Sequence, residues 1–179
     1  MDEAVDPKFF SVALREVSKD DFERFGQAFY ASIEGKEFVP LGGVGDGGAD
    51  GLFSNTDESG RARALQITKQ ADLKGKVRET VKRLQEFGRD PKSLTMLVSY
   101  NVQNLDNLEE ELSDKYDIRI RIRDSRYLET QVNQNVGTRA AANSYVLPFA
   151  EFLLNPGASR LISVSENLPL PTLCAFMGQ

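Results

Sequence analysis

The stretch "GGVGDGGADGLFSNTDESGRARALQITK", residues 42–69, decides how this 179-residue chain is read. Its first ten residues place six glycines around Asp46 and Asp50. Glycine is costly to order, and it is used where backbone takes positive φ or is closely approached. The residues after the glycines read as a hairpin: "DGLFSN" runs out as a strand, "NTDESGR" carries turn residues, and "ARALQITK" returns. A phosphate loop would continue with Lys and Ser/Thr into a helix, and no such pair is present. Gly43, Gly45 and Gly48 fit the dinucleotide spacing, yet a strand comes next where a helix is required. The calcium-loop spacing and its closing Glu are missing. Asp46 reads as a turn former. Asp50, at the mouth of the outgoing strand, is left as the residue with chemistry to offer.

Working outward, "SKDDFERFGQAFYASIEG" predicts a helix. Ser18 and Asp21 resemble a capping box, Phe22, Phe25, Phe29 and Ile33 recur at helical spacing, and Gly35 is the stop. "EFVPL" is a short extended run. "ADLKGKVRETVKRLQEFG" predicts a helix with Leu73, Val77, Val81 and Leu84 inward and Gly88 at its end. "SLTMLVSY" reads as a buried strand, and "LDNLEEELSDKY" as a helix through Leu105, Leu108 and Leu112. "DIRIRIR" alternates strictly, with Ile118, Ile120 and Ile122 inward, and "SRYLETQVN" closes as a short helix. The order α-β-β-β-α-β-α-β-α predicts an α/β fold, a mixed central sheet flanked by helices. After residue 135 the chain becomes apolar and Pro-punctuated ("YVLPFAEFLLNP", "LPLPTLCAFMGQ"). Residues 136–179 are accordingly read as an extension that either docks on the core or leads into a further domain.

Composition removes several chemistries. The chain has no histidine, which excludes His-based triads and His-ligated zinc. Its one cysteine, Cys174, excludes an internal disulfide, fits a reducing cytoplasm and reads as a small buried apolar residue. The N-terminus reads as no signal peptide, and no run approaches the roughly 20 apolar residues of a membrane span. Net charge is −5, yet residues 61–92 hold ten bases against four acids. Such a local surplus is either a solvated helix face or an attractor for a polyanion. Arg119, Arg121 and Arg123 share one strand face, suited to phosphates or to protecting a sheet edge.

Asp50 on one hairpin strand and Gln66 on its partner would put a carboxylate beside an amide oxygen. With waters and a phosphate this makes a hard oxygen site for Mg²⁺ (or Mn²⁺), and a nearby lysine would complete it. The same two residues also suit a turn and a strand surface. Asp50 is expected to have little around it, so that its removal relieves acidic repulsion.

"FERFGQAFYASIEGKEFVPLGGVGDGGADGLF" followed by "ALQITKQ" resembles the Mrr-like branch of the PD-(D/E)xK nucleases, over about residues 20–135. The Gly-Asp-Gly-Gly-Ala-Asp-Gly block is the specific part. The resemblance implies a restriction-endonuclease-like fold in residues 1–135 and metal-dependent hydrolysis of DNA. It implies Asp50 as the metal-binding aspartate, Gln66 in place of the motif's Glu, and Glu23 as an auxiliary acid. The family lysine would stand two residues after Gln66, where this chain has Thr68. Lys69 would serve only if a bulge turned it inward. A sub-branch often fused to defence-type NTPases implies a lysine from the following helix, Lys76; the order of preference for the missing lysine is Lys76, then Lys69, then Lys74. Lys76 and the start of that helix are expected to act on one phosphate, with Lys74 and Arg78 on the DNA. The implied whole is the cytoplasmic N-terminal effector of a longer antiphage or restriction protein, with DNA and a further NTPase or sensor domain as partners, and self-association open. The competing reading is a nuclease-like fold without catalysis, serving as a nucleic-acid-binding or assembly module.

Overall fold

The computed structural model describes residues 4–41, 48–53 and 63–154, the last four of these as backbone only. Most of the glycine block, the hairpin turn and Cys174 therefore lie outside the described residues, and Asp46 with them. The elements run α1 (Pro7–Glu16), α2 (Lys19–Glu34), a 3-10 turn (Gly35–Glu37), β1 (Phe38–Pro40), β2 (Gly51–Phe53), β3 (Arg63–Thr68), α3 (Leu73–Glu86), β4 (Ser93–Val98), α4 (Leu105–Tyr116), β5 (Arg119–Arg123), α5 (Ser125–Gln131), α6 (Val136–Tyr145) and α7 (Leu147–Leu154).

The five strands stand in chain order, β1-β2-β3-β4-β5. β1, β2 and β3 are antiparallel neighbours, and β3, β4 and β5 are parallel. This is the α/β mixed sheet the element order predicts. Alternation along each strand sends side chains to two separate cores. Leu65, Ile67 and Leu97 join the phenylalanines of α1 and α2 and the inner residues of α5 and α6. Ala64, Leu94, Met96, Val98, Ile120 and Ile122 face α3 and α4. α2 lies close on its side of the sheet because Gly26 has no side chain: a Cβ there would meet Ile67 and Leu97 within 3 Å.

Three helices, α1, α6 and α7, and one packing relation go beyond the sequence reading. α1 is capped by Asp6, whose carboxylate accepts from the amides of Lys8 and Phe9, with Pro7 in the first turn. α6 opens on a capping box of Asn135 and Thr138. Ala141, Ala142, Val146 and Ala150 pack into the same core as α1, α2 and α5. Residues 136–150, set apart from the sequence as an extension, thus share this core.

β5 is an edge strand. Its outward amides at Ile120 and Ile122 donate to Ser113 Oγ (2.9 Å) and Glu109 Oε1 (2.6 Å) of α4. Glu109, almost fully buried, pairs through its other oxygen with Arg121 at 2.8 Å. Arg123 stacks its guanidinium 4.8 Å from the Tyr127 ring centre. Of the arginine stripe, Arg119 is exposed, and Arg121 and Arg123 are half-buried.

Candidate functional site

Asp50 stands immediately before β2, at the carboxyl end of β3, and its own amide donates to Leu65 O at 2.9 Å. This is the rim of the parallel strands, where open α/β sheets place their ligands. Its Oδ2 accepts from the Ile67 amide at 2.6 Å and from Gln66 Nε2. Gln66 is buried; its Nε2 also reaches Ile67 O at 3.2 Å, and its Oε1 accepts from Thr80 Oγ1 at 3.2 Å. The expectation that Asp50 has little around it is corrected: two donors hold its carboxylate.

Helices on both sides of the sheet converge on this carboxylate. On α2, Lys19, Glu23 and Gln27 follow at i, i+4 and i+8, one stripe of the helix. Gln27 Nε2 donates to the carbonyls of Leu41 (2.7 Å) and Asp50 (3.1 Å), fixing the strand end. Glu23 and Lys19 act on Asp50 through their charges. On α3, Lys76, Thr80 and Arg83 form the matching stripe. Lys76 acts on Asp50 by charge, Thr80 holds Gln66, and Gly48 packs against Arg83. Gly48 has φ +84° and a Cβ there would lie 2.7 Å from Arg83 Cβ, with α3 backbone at 3.1 Å. At this position glycine is required both by backbone conformation and by close approach.

The other lysines go elsewhere. Lys69 follows β3, whose pairing with β4 runs without a bulge from Arg63 to Thr68. Its Nζ donates to the carbonyls of Leu14 (3.3 Å), Arg15 (2.9 Å) and Val17, closing the C-terminus of α1. The bulge that would turn it inward is absent from this register. Lys74 pairs with Glu111 of α4 at 2.6 Å. Lys74 and Arg78 lie about 160° around α3 from Lys76, so the geometry does not bring them to Asp50. Nor does the start of α3 await a phosphate: Asp72 caps it, accepting from the Gly75 amide at 2.8 Å. Thr68, in the motif's lysine position, is buried and accepts from the Gln70 amide at 3.0 Å. Lys19, Gln27 and Thr80 were missed in the sequence; the signal was there only as i+4 spacing from Glu23 and Lys76.

Burial raises Asp50 to about 6; the Ile67 amide opposes this, Glu23 adds to it, and Lys76 and Lys19 oppose it. The unfolded carboxyl titrates near 3.9. Between those two values the folded chain holds a proton that the unfolded chain has lost. The fold therefore gains stability as pH falls from neutrality through 6 and loses it as pH rises again. Urea unfolding between pH 7.5 and pH 5 is expected to show a gain of about 1.4 kcal/mol relative to Asp50→Asn. Parallel profiles of the two proteins would remove that assignment.

A hard cation fits this donor set. The Gln66 NH₂ occupies the space between two acceptor oxygens, Asp50 Oδ2 and Ile67 O, where positive charge is what the oxygens seek. Among the described residues no group of three or more His, Cys, Asp or Glu could hold a metal. One carboxylate with neutral oxygens and water suits Mg²⁺, which keeps several waters and shares phosphate ligands. No protein-family model, curated protein or solved structure matches the chain. Among the described residues no helix is long and apolar enough to cross a membrane.

Proposed function

We propose that the chain is a metal-dependent DNA endonuclease domain of restriction-endonuclease-like, Mrr-like type, the N-terminal effector of a longer antiphage or restriction protein. The observation that carries this reading is the half-buried Asp50 carboxylate joined to Gln66 at the rim of β3, with the charges of Lys76 and Lys19 acting on it from opposite helices. Asp50 and Gln66 would hold Mg²⁺ or Mn²⁺. When bound, such an ion neutralises charge on the phosphodiester and lowers the pKa of an attacking water. Lys76 supplies positive charge toward the phosphate from the α3 side, and Lys19 does so from the α2 side. Glu23 adds negative charge near Asp50 and would serve as the auxiliary acid. Gln27 keeps the Asp50 backbone from shifting.

Thr68 favours a second reading. A buried, hydrogen-bonded threonine stands where the motif has its lysine, which suits a nuclease-like fold that binds nucleic acid or assembles without cutting. The test is incubation with supercoiled plasmid and MgCl₂ or MnCl₂, with and without EDTA. Nicking or linearisation abolished by EDTA supports the nuclease. Intact plasmid that is nonetheless retarded in a gel supports the binding module.

A further inference from the structure

Resting on the metal-site reading above, we propose that Thr80 is a positioning residue whose hydroxyl lets the Gln66 side-chain amide turn over between a metal-free and a metal-bound orientation. In the structure Gln66 Nε2 faces Asp50 Oδ2 and Ile67 O, and Oε1 faces Thr80 Oγ1 at 3.2 Å. That orientation is chemically forced without a cation. An ionised carboxylate and a backbone carbonyl only accept, so the NH₂ must lie between them. It acts as a built-in substitute for positive charge. A cation reverses the demand, because Nε2 cannot ligate it and Oε1 can. Turning the amide by half a rotation presents Oε1 to the cation and sends Nε2 to Thr80.

Most side chains would fit only one of these states. Methyl and methylene groups fit neither, a carboxylate would repel Oε1, and an ammonium would repel Nε2. A hydroxyl donates in the first state and accepts in the second. In the second state its own proton has a destination in the carbonyl four residues back along α3, that of Lys76. Thr80 and Gln66 are both buried, 1% and 5% exposed, so water is not at hand to serve either orientation. An amide left without a partner there would carry the cost of an unsatisfied buried group. Gln66 in place of an acid thus gives a site that is held together before the ion arrives, at the cost of breaking that bond on loading.

The test is MgCl₂ titration of the metal-free ¹³C,¹⁵N-labelled full chain, with the Gln66 side-chain NH₂ resonance assigned by its loss in Gln66→Glu. The resonance is expected to move upfield in ¹H as the NH₂ leaves a charged acceptor for a neutral hydroxyl. Thr80→Val, equal in shape, removes the partner from both orientations, so it is expected to lower stability by about five- to tenfold in the unfolding equilibrium, the worth of one buried hydrogen bond, in the metal-free and the Mg²⁺-loaded chain alike, with Mg²⁺ affinity within about threefold. Thr80→Ser is expected to restore the stability of both states to within about twofold. Mg²⁺ binding that shifts the Asp50 carboxyl resonance and leaves the Gln66 NH₂ in place overturns the proposal and spares the metal site. A Thr80→Val protein that loses stability only without Mg²⁺ does the same. If the unaltered chain binds no Mg²⁺ near Asp50, the metal site falls and this proposal with it. Should Thr80→Val fail to fold, the resonance of the unaltered chain still decides.

Discussion

Asp50→Asn is expected to lower Mg²⁺-dependent plasmid cleavage by more than about a hundredfold, since even residues that only support metal ligands cost 10- to 100-fold. Asn is the informative replacement. Asp50 Oδ2 takes the amides of Ile67 and Gln66, and the Asn oxygen can still accept both. Charge is removed while the strand end keeps its bonds. Asp50→Ala removes the acceptor as well. It strands a buried amide of β3 and the NH₂ of Gln66, a loss of about 1–3 kcal/mol that would confuse unfolding with inactivity. Both variants should be melted before they are assayed. An Asp50→Asn protein that melts normally and cuts at the original rate would end the assignment of Asp50 as the metal-binding aspartate.

Lys76→Ala is expected to slow cleavage about a hundredfold, the scale seen when one charge-stabilising donor is removed from a reaction centre. Lys76 is half-buried and its charge acts on Asp50, from the same stripe of α3 that holds Gln66 through Thr80. Mg²⁺ affinity and melting temperature should change little, because among the described residues no hydrogen bond runs through its ammonium. Lys69→Ala should behave in the opposite way. Its ammonium closes three carbonyls at the end of α1, so the loss is of stability, about 1 kcal/mol, with the rate per folded molecule unchanged. The pair of variants is measured by cleavage rate and by urea midpoint on the same preparations. A dead, fully stable Lys69→Ala beside a normal Lys76→Ala would exchange the two roles.

The parts of this fold that are legible in the sequence are those with a strong local period. "RIRIR" alternates, and Ile120 and Ile122 are buried. The Phe22–Phe25–Phe29 stripe has helical spacing and lies in the core. α1 is harder to see because the acidity of the N-terminus masks Asp6 and Pro7, a cap and a first-turn proline in plain order. α6 is hidden because its buried face is made of Thr138, Ala141 and Ala142, residues too small to make an apolar stripe stand out. The pairing of Asp50 with Gln66 follows from the hairpin. The roles of Gln27 and Thr80 do not, because a polar residue on a helix next to an apolar stripe reads as surface. Only the meeting of α2, α3 and the β3 rim gives those side chains something to hold. Lys69 invites a catalytic role because it follows the strand; its real partner, the end of α1, is more than fifty residues away along the chain.

The side chains that α4 lays along β5 bear on how many copies of this fold could be crowded together. To extend the sheet there, an incoming chain must first displace Glu109 from Ile122 and from Arg121 at once, and Ser113 from Ile120. The opposite flank is β1, three residues long and ending in Pro40, whose nitrogen has no hydrogen to give. Among the described residues neither flank presents a ready template for another strand. Neighbours in a tandem array or a dense assembly would therefore touch through helix surfaces and loops, and each copy would keep its own sheet closed to the next.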